Sequence, residues 1–370
     1  MVKKNKNIIK ELTEVSNYFG QRFDLIQAAG GNSSIKNGKS MYIKSSGYSL
    51  AELDESNGYS IVDNEILVKH LDYVKNKKIS VRDENKSFKI LKNSLIFGST
   101  PSIETLAHSI LNKYTIHLHP VGFNMITVQD ESSAIIKDIF KKEIKDKKVY
   151  YINYKTPGIA LAQAIFNALS GESPIKDECC FILENHGIIS SSTTIEKLYS
   201  FTEKLTLTAE KSLKLDFNHY KQTTKISNLL NSFHFKNLSV LCSDDLVINN
   251  FMKKIDLKSI MKPLNPDSLL YCGISLMDCK KNSKLKETLK RFIKDFSDYP
   301  RVIKYMNKIY FVAPNVLKAK EIEDVFKSHL FLYSKNKSKR PLSDENIARL
   351  ESYNPQKNRL RFWFDYESKK

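Results

Sequence analysis

Two histidines, His117 and His119 in the run YTIHLHP, have the types and spacing that metal chemistry needs. A strand has a side-chain period of two, so both imidazoles project from one face and Leu118 from the other. One cation can then accept both nitrogens. A third histidine, His186, stands in ENHGI, where a buried apolar run ends and Gly187 permits a sharp turn that exposes a ring at a sheet end. Three imidazoles with a vacant fourth position make a catalytic rather than a closed structural zinc site. Taken singly, the same residues also fit ordinary structure: an H-x-H pair is more often just part of a strand, and N-H-G more often just a turn. Of the remaining histidines, His70, His219, His234 and His329 stand alone, and His108 lies on the core face of a helix.

The elements that must position these rings are legible from periodicity. Residues 7 to 19 carry apolar positions at helical spacing; GGNSS breaks the pattern, and SMYIKSS reads as a short strand. After a variable polar stretch, IETLAHSILNKY reads as a helix opened by Pro101 and Ser102, leading into the strand YTIHLHP. A helix begins near Val121, KKVYYINY is strand-like, and PGIALAQAIFNALS is a helix with proline at its start and Gly171 after its end. CCFILENHGIISSS reads as strand, tight turn and strand, followed by a long amphipathic helix entered through Thr193 or Thr194. Alternating strands and helices give an α/β class.

The 370 residues predict two domains. Periodicity weakens over 217 to 243, which places one domain at residues 1–220 and a smaller α/β module at 240–370. In the latter, KETLKRFIKDF and AKEIEDVFKSHLFLYS read as helices and RVIKYMNKIYFVAP as strands. The tail LSDENIARLESYNPQKNRLRFWF reads as a capped helix docking back through its aromatic end. Hydrophobic residues at 41% and charged residues at 27% exclude a chain disordered throughout.

No apolar run approaches the roughly 18 residues of a membrane span, and MVKKNKNIIKELTEV has no apolar core or cleavage site after its lysines. The expected location is the cytoplasm, with no membrane partner. Five cysteines without a C-x-x-C pair agree, and they read as buried thiols. The net charge of +18 is spread along the chain with no arginine-rich stripe, RNP-type aromatics or zinc-finger spacing, so no nucleic-acid partner is expected. The charge can still draw in a phosphorylated or carboxylated substrate.

The ordered set GGNSS (30 to 34), IKSSG (43 to 47), PSIETLAH (101 to 108), HLHP (117 to 120), YKTPG (154 to 158) and ENHGI (184 to 188) resembles the class II aldolase/adducin family. The resemblance covers roughly residues 5 to 215, and six motifs in order are far more specific than any one. It implies a three-layer α/β/α domain on a mixed, largely antiparallel sheet, and a homotetramer with active sites at subunit contacts. It makes His117, His119 and His186 ligands of Zn2+ or another divalent transition metal. It makes Glu104 the acid/base and Tyr154 a tyrosine that reaches across from a neighbouring subunit. Gly31 and Asn32, then Ser46 and Gly47, resemble the family's two phosphate-binding turns, and Ser102 part of a third; small residues there expose backbone N–H groups to an anion.

The implied reaction is reversible aldol cleavage of a ketose phosphate or related hydroxy-carbonyl sugar: zinc polarises a ketone and stabilises the enediolate while a carboxylate moves the carbon-bound proton. Family members also epimerise, decarboxylate or dehydrate, and the motifs do not separate these outcomes. A catalytically silent, adducin-like interaction protein is the reading from another class; the metal triad and Glu104 count against it.

There are two departures from the pattern. Ile103 stands where sugar-phosphate aldolases commonly have Ser or Thr, and Lys44 replaces a small polar residue before SSG, which offers a cationic contact instead. In this the chain is similar to the aldolase part of bifunctional rhamnulose-phosphate aldolase/dehydrogenases, and its segments PLNPDSLLYCG (263 to 273) and RVIKYMNKIYFVAPNVLKAKEIEDVF resemble the module that follows the aldolase domain in those longer proteins. No G-x-G-x-x-G follows a strand, so nicotinamide chemistry is not expected.

Overall fold

The periodicities condense into two sheets in a computed structural model that describes residues 5–169, 175–235, 238–254, 260, 262–281, 284–335 and 340–352. The chain divides into two compact units, Met1–Phe217 and Asn218–Lys370.

The first unit opens with α1 (Lys6–Gly20), β1 (Asn32–Asn37), β2 (Ser40–Lys44) and β3 (Tyr59–Asp63). Next come α2 (Asn64–Val74), α3 (Val81–Asn93), β4 (Leu95–Phe97), α4 (Thr105–Ser109) and β5 (Tyr114–Leu118). The helices α5 (Val121–Thr127), α6 (Ser132–Ile139) and α7 (Lys141–Lys145) lead to β6 (Val149–Ile152) and α8 (Ile159–Ala168). The unit closes with β7 (Glu178–Leu183), β8 (Gly187–Ser192) and α9 (Ile195–Ser212). The eight strands form one sheet in the order β4-β3-β2-β1-β5-β8-β7-β6. Within this sheet, among the described residues, only the β6–β7 pair is parallel.

Neighbouring strand residues go to opposite layers, as the period of two requires. Ile35, Tyr42, Ile61, Ile116, Leu118, Ile182 and Ile188 pack with Leu12 of α1, Phe123 of α5 and Leu205 of α9. Met41, Ile43, Val62, Phe181 and Ile189 pack on the other face with Leu71 of α2, Leu91 of α3, Leu106 of α4 and Ile165 of α8. The result is the expected three-layer α/β/α arrangement on a mixed, largely antiparallel sheet.

Three local differences from the sequence reading have physical causes. GGNSS is not simply a break, because β1 begins at Asn32 with Ser33 and Ser34 buried. Their hydroxyls find partners, Ser16 at 2.6 Å and His108 at 2.8 Å, so the buried serines do not need apolar character. The helix expected over IETLAHSILNKY is only the five residues of α4. Past it, the Asn112 N–H goes to Ser191 Oγ at 2.8 Å, and the carbonyls of Leu111 and Asn112 accept from Lys36 Nζ, which diverts the groups that a longer helix would pair internally. The variable polar stretch holds α2 and α3, capped by the side chains of Asp63 and Ser80.

The segment between α1 and β1 is fixed by a buried ion cluster. Arg22 is 1% exposed; its Nε donates to Asp24 at 3.1 Å, and it also pairs with Glu203 of α9. The backbone carbonyls of Asp24 and Leu25 in turn accept from Val121 and His119, each at 3.0 Å. Arg22→Leu leaves the Asp24 carboxylate buried and unpaired, and the expected cost is about 3–5 kcal/mol. A urea melt of the variant should show the first unit's transition at a clearly lower midpoint; an unchanged midpoint would remove the anchoring role.

The second unit contains α10 (Asn218–Ser232), β9 (Ser239–Cys242), α11 (Leu246–Lys254), α12 (Pro266–Cys272) and β10 (Met277–Cys279). It continues with α13 (Leu285–Phe296), β11 (Val302–Tyr305), β12 (Lys308–Ala313), α14 (Val316–Lys335) and α15 (Asp344–Ser352). Its sheet runs β10-β11-β12-β9 around a core that includes Val302, Phe311, Ile322 and Phe326. The stretch of weak periodicity therefore holds α10, whose Tyr220, Thr223 and Ile226 are buried, together with β9. The aromatic end of the tail lies outside the described residues. All five cysteines are free and buried. No helix among the described residues is long and apolar enough to cross a membrane.

Candidate metal centre

His117 occupies the middle of the large sheet, paired through its backbone with Asn32 on one side and Ile189 on the other. Its ring is fully buried, and its Nδ1 meets the Ile188 carbonyl at 2.9 Å. A carbonyl only accepts, so Nδ1 carries a proton and Nε2 is the nitrogen directed at the site. His119 lies just beyond the end of β5, where the Leu25 carbonyl takes its backbone N–H at 3.0 Å. Its Nε2 comes to 3.0 Å from His117 Nε2.

His186 arrives from the other side of the sheet end. The turn between β7 and β8 places Asn185 at φ +52° and brings Gly187 against β5. A Cβ on Gly187 would lie 2.2 Å from the Leu118 carbonyl oxygen and 3.0 Å from His119 Cδ2, so glycine is what lets His186 approach the pair. Gly187→Ala must therefore push β8 and β5 apart, at a cost of roughly 1–3 kcal/mol. The expected result is a folded protein with weakened metal retention; undiminished retention would show that this close approach is dispensable.

The three rings offer one nitrogen each within 4.8 Å of one another, a set that could hold a metal ion. The chemistry of the donors fits. Two imidazole nitrogens 3.0 Å apart approach the roughly 3.3 Å separation of tetrahedral ligands placed about 2.0–2.1 Å from a zinc ion. Buried Asn32 Oδ1 and His186 Nδ1 have no partner among the described residues.

Glu104 closes the cluster. It is 6% exposed, and its Oε1 lies 3.3 Å from His117 Nε2 and 3.2 Å from His186 Nε2. Its other oxygen accepts from Asn32 Nδ2 at 2.6 Å. Burial opposes ionisation of this carboxyl, but the charge of His117 and hydrogen bonds from His117 and His186 outweigh it and hold the group well below the usual carboxylate range. Burial, then the charges of His117 and His186, push His119 down to about 4.

The three turns singled out in the sequence converge beside Glu104. Asn32 Nδ2 also donates to Ser102 Oγ at 3.0 Å, the Ser46 N–H reaches Thr100 O at 2.8 Å, and the Ser102 N–H reaches Lys44 O at 3.4 Å. Gly31 at φ +63° would strike His117 O if it carried a Cβ, whereas Gly47 at φ +87° faces open space. Lys44 is buried, with Nζ donating to Tyr48 O at 2.6 Å, Ser45 O at 3.3 Å and Ala29 O at 3.4 Å. Its three donors are thus taken, and what it offers an anion is charge rather than a hydrogen bond. Burial pulls that ammonium down to about 8, against the opposing charges of Glu104 and Glu52.

Tyr154 is not brought into the cluster. Its ring is 53% exposed, and its backbone N–H, rather than its phenol, is tied to Glu184 at 2.7 Å. Ile103 is likewise half-exposed. The sequence reading missed the grip of Asn32 on Glu104 and the carbonyl of Ile188 behind His117. The first had a signal in GGNSS; the second is a backbone contact with none.

A sequence model described as Class II Aldolase and Adducin N-terminal domain matches residues 10–213, more than half of the chain. No curated protein matches it. Among solved structures, the N-terminal class II aldolase domain of a conserved protein from Thermoplasma acidophilum is 23% identical, with 58% of this chain and 97% of that chain covered and a TM-score of 0.47. A sugar-phosphate aldolase from Thermotoga maritima is 14% identical over 56% of this chain and 94% of its own, with a TM-score of 0.41. L-fuculose-1-phosphate aldolase from Thermus thermophilus is 17% identical over 56% and 94%, with a TM-score of 0.34.

Proposed function

We propose, from the premise that the chain belongs to the class II aldolase and adducin N-terminal domain family, that it is a zinc-dependent lyase catalysing reversible aldol cleavage of a ketose phosphate or related hydroxy-carbonyl sugar. The observation that carries this reading is the convergence of His117, His119, His186 and Glu104 at one end of the sheet. A divalent ion held by the three imidazoles would supply the positive charge that favours an anionic oxygen on the substrate.

The remaining work falls to the chain's own groups. Glu104 takes up or returns the proton on the carbon next to the carbonyl, through the oxygen that faces the histidines. Asn32 holds the opposite oxygen, which fixes the carboxylate plane. The turns at Gly31 and Gly47 and the hydroxyls of Ser46 and Ser102, with the charge of Lys44, take the substrate's anionic end. Tyr154, exposed in this chain, serves the site of a neighbouring copy, so the working unit is a homo-oligomer, with a tetramer the arrangement we expect. Residues 1–220 are the catalytic part and 240–370 a smaller accessory module.

The test is to supply the zinc-loaded protein with 1-phosphoketoses such as L-fuculose 1-phosphate and to follow products. Aldolase action releases an aldehyde and dihydroxyacetone phosphate. An inverted epimer or a dehydrated sugar would instead assign another lyase or isomerase chemistry, as would carbon dioxide from a sugar acid supplied in parallel. No turnover together with no retained metal would favour a silent interaction protein.

A further inference from the structure

β1 and α4 lie against each other with an unusual regularity of polar contacts. Asn32, Ser34 and Lys36 are alternate residues of β1 and so share a face, and each reaches the next stage of the segment that carries Glu104. Asn32 Nδ2 donates to Glu104 Oε2 at 2.6 Å, Ser34 Oγ meets His108 Nδ1 at 2.8 Å, and Lys36 Nζ donates to the carbonyls of Leu111 and, at 3.1 Å, Asn112. The spacings match: two strand residues advance roughly 6.6 Å and four helical residues roughly 6 Å. Glu104 and His108, four apart, therefore fall in step with Asn32 and Ser34, two apart on β1, and the carbonyls beyond the end of α4 meet Lys36.

Two features single out the middle rung. His108 is 0% exposed, and its Nε2 has no partner among the described residues, so Ser34 provides the ring's whole polar tether. Burial pushes this imidazole down to about 3, which keeps it neutral and lets it share one proton with the serine hydroxyl. An apolar side chain would fill the same space at less desolvation cost. At the far rung, the half-buried lysine closes carbonyls left open where α4 stops short.

We propose that Ser34, His108 and Lys36 are positioning residues: together with Asn32 they form a three-rung ladder that locks α4 to β1 and sets the Glu104 carboxylate against the histidine cluster. The catalytic consequence rests on the assignment of Glu104 made above. The ladder itself does not.

The full-length protein, zinc-loaded, is compared as wild type and as Ser34→Ala, His108→Leu, His108→Asn and Lys36→Met. Amide hydrogen exchange, measured without substrate, should accelerate about tenfold or more over residues 105–112 in Ser34→Ala, His108→Leu and Lys36→Met, with β5 and β8 unchanged. Zinc content should stay at the wild-type level. With dihydroxyacetone phosphate in D2O as probe, the rate of carbon-bound proton exchange should fall about 10- to 100-fold in kcat with little change in KM, the scale of a small misplacement of a reacting group. His108→Asn, which can present a polar group to Ser34 near the position of Nδ1, should recover most of both losses. Unchanged exchange over 105–112 in all three disrupting variants overturns the ladder. Faster exchange with undiminished kcat, alongside an inactive Glu104→Gln control, overturns the positioning role and leaves the proposed function standing. An active Glu104→Gln control instead fells the base assignment and the catalytic consequence with it, while the substrate-free exchange still decides the ladder.

Discussion

Glu104→Gln should retain added zinc and lose proton exchange at the substrate carbon by about 10²- to 10⁴-fold, the range that a general base contributes. The substitution is close to isosteric, and the amide oxygen can still accept from Asn32 Nδ2, which now meets the carboxylate at 2.6 Å. What disappears is basicity. A carboxylate held well below its usual range by the His117 charge and by hydrogen bonds from two imidazoles is a weak base until those imidazoles are engaged elsewhere. A cation held by the same three rings would take their lone pairs and so free Oε1 of Glu104 from the hydrogen bonds that now hold it. The loss should lie in kcat rather than KM, because the role proposed for the group is in the proton-transfer step and not on the anionic end of the substrate. Deuterium incorporation followed by proton NMR, with metal content measured on the same sample, reads both halves. Near-native exchange in this variant would show that some other group moves the proton.

How much of this was legible in the sequence depended on whether a residue's partner was local. His117 and His119 were readable because a strand's period fixes two side chains relative to each other, and Gly187 because a sharp strand-to-strand turn advertises itself. The convergence of His186 with that pair required pairing β5 with β8, which periodicity does not supply; it came from the order of six motifs. The α4 helix was overestimated because Leu106, Ile110 and Leu111 suit a longer helix. What ends it is a lysine some 75 residues away in the sequence and a serine on β8, which take backbone groups that the helix would have used. β1 was misread for the converse reason: two serines look like a turn until their buried hydroxyl partners, Ser16 and His108, are in place. Long-range polar contacts overrode local propensity in both cases, and both lie on the two elements that hold Glu104.

His119→Ala should lower the affinity for a divalent ion by more than about 100-fold, because the loss of groups that merely support a metal ligand already costs 10- to 100-fold. Few other changes would fall so selectively on the metal. His117 keeps its tautomer through Ile188, Glu104 keeps Asn32, and the backbone at 119 keeps its bond to Leu25, none of which involves the removed imidazole. Burial and the neighbouring histidine charges push His119 down to about 4, so near neutral pH the metal-free protein loses no ion pair with it. Its unfolding midpoint should therefore stay close to that of the metal-free wild type. The stabilisation gained on adding zinc should shrink by about 2.7 kcal/mol for each 100-fold loss in affinity, once the ion is in excess. Chelator competition and thermal melts with and without zinc measure the two quantities independently. If the variant held its metal as tightly as the wild type and melted with the same zinc-dependent gain, the ion would be bound elsewhere and the three rings would not be its ligands.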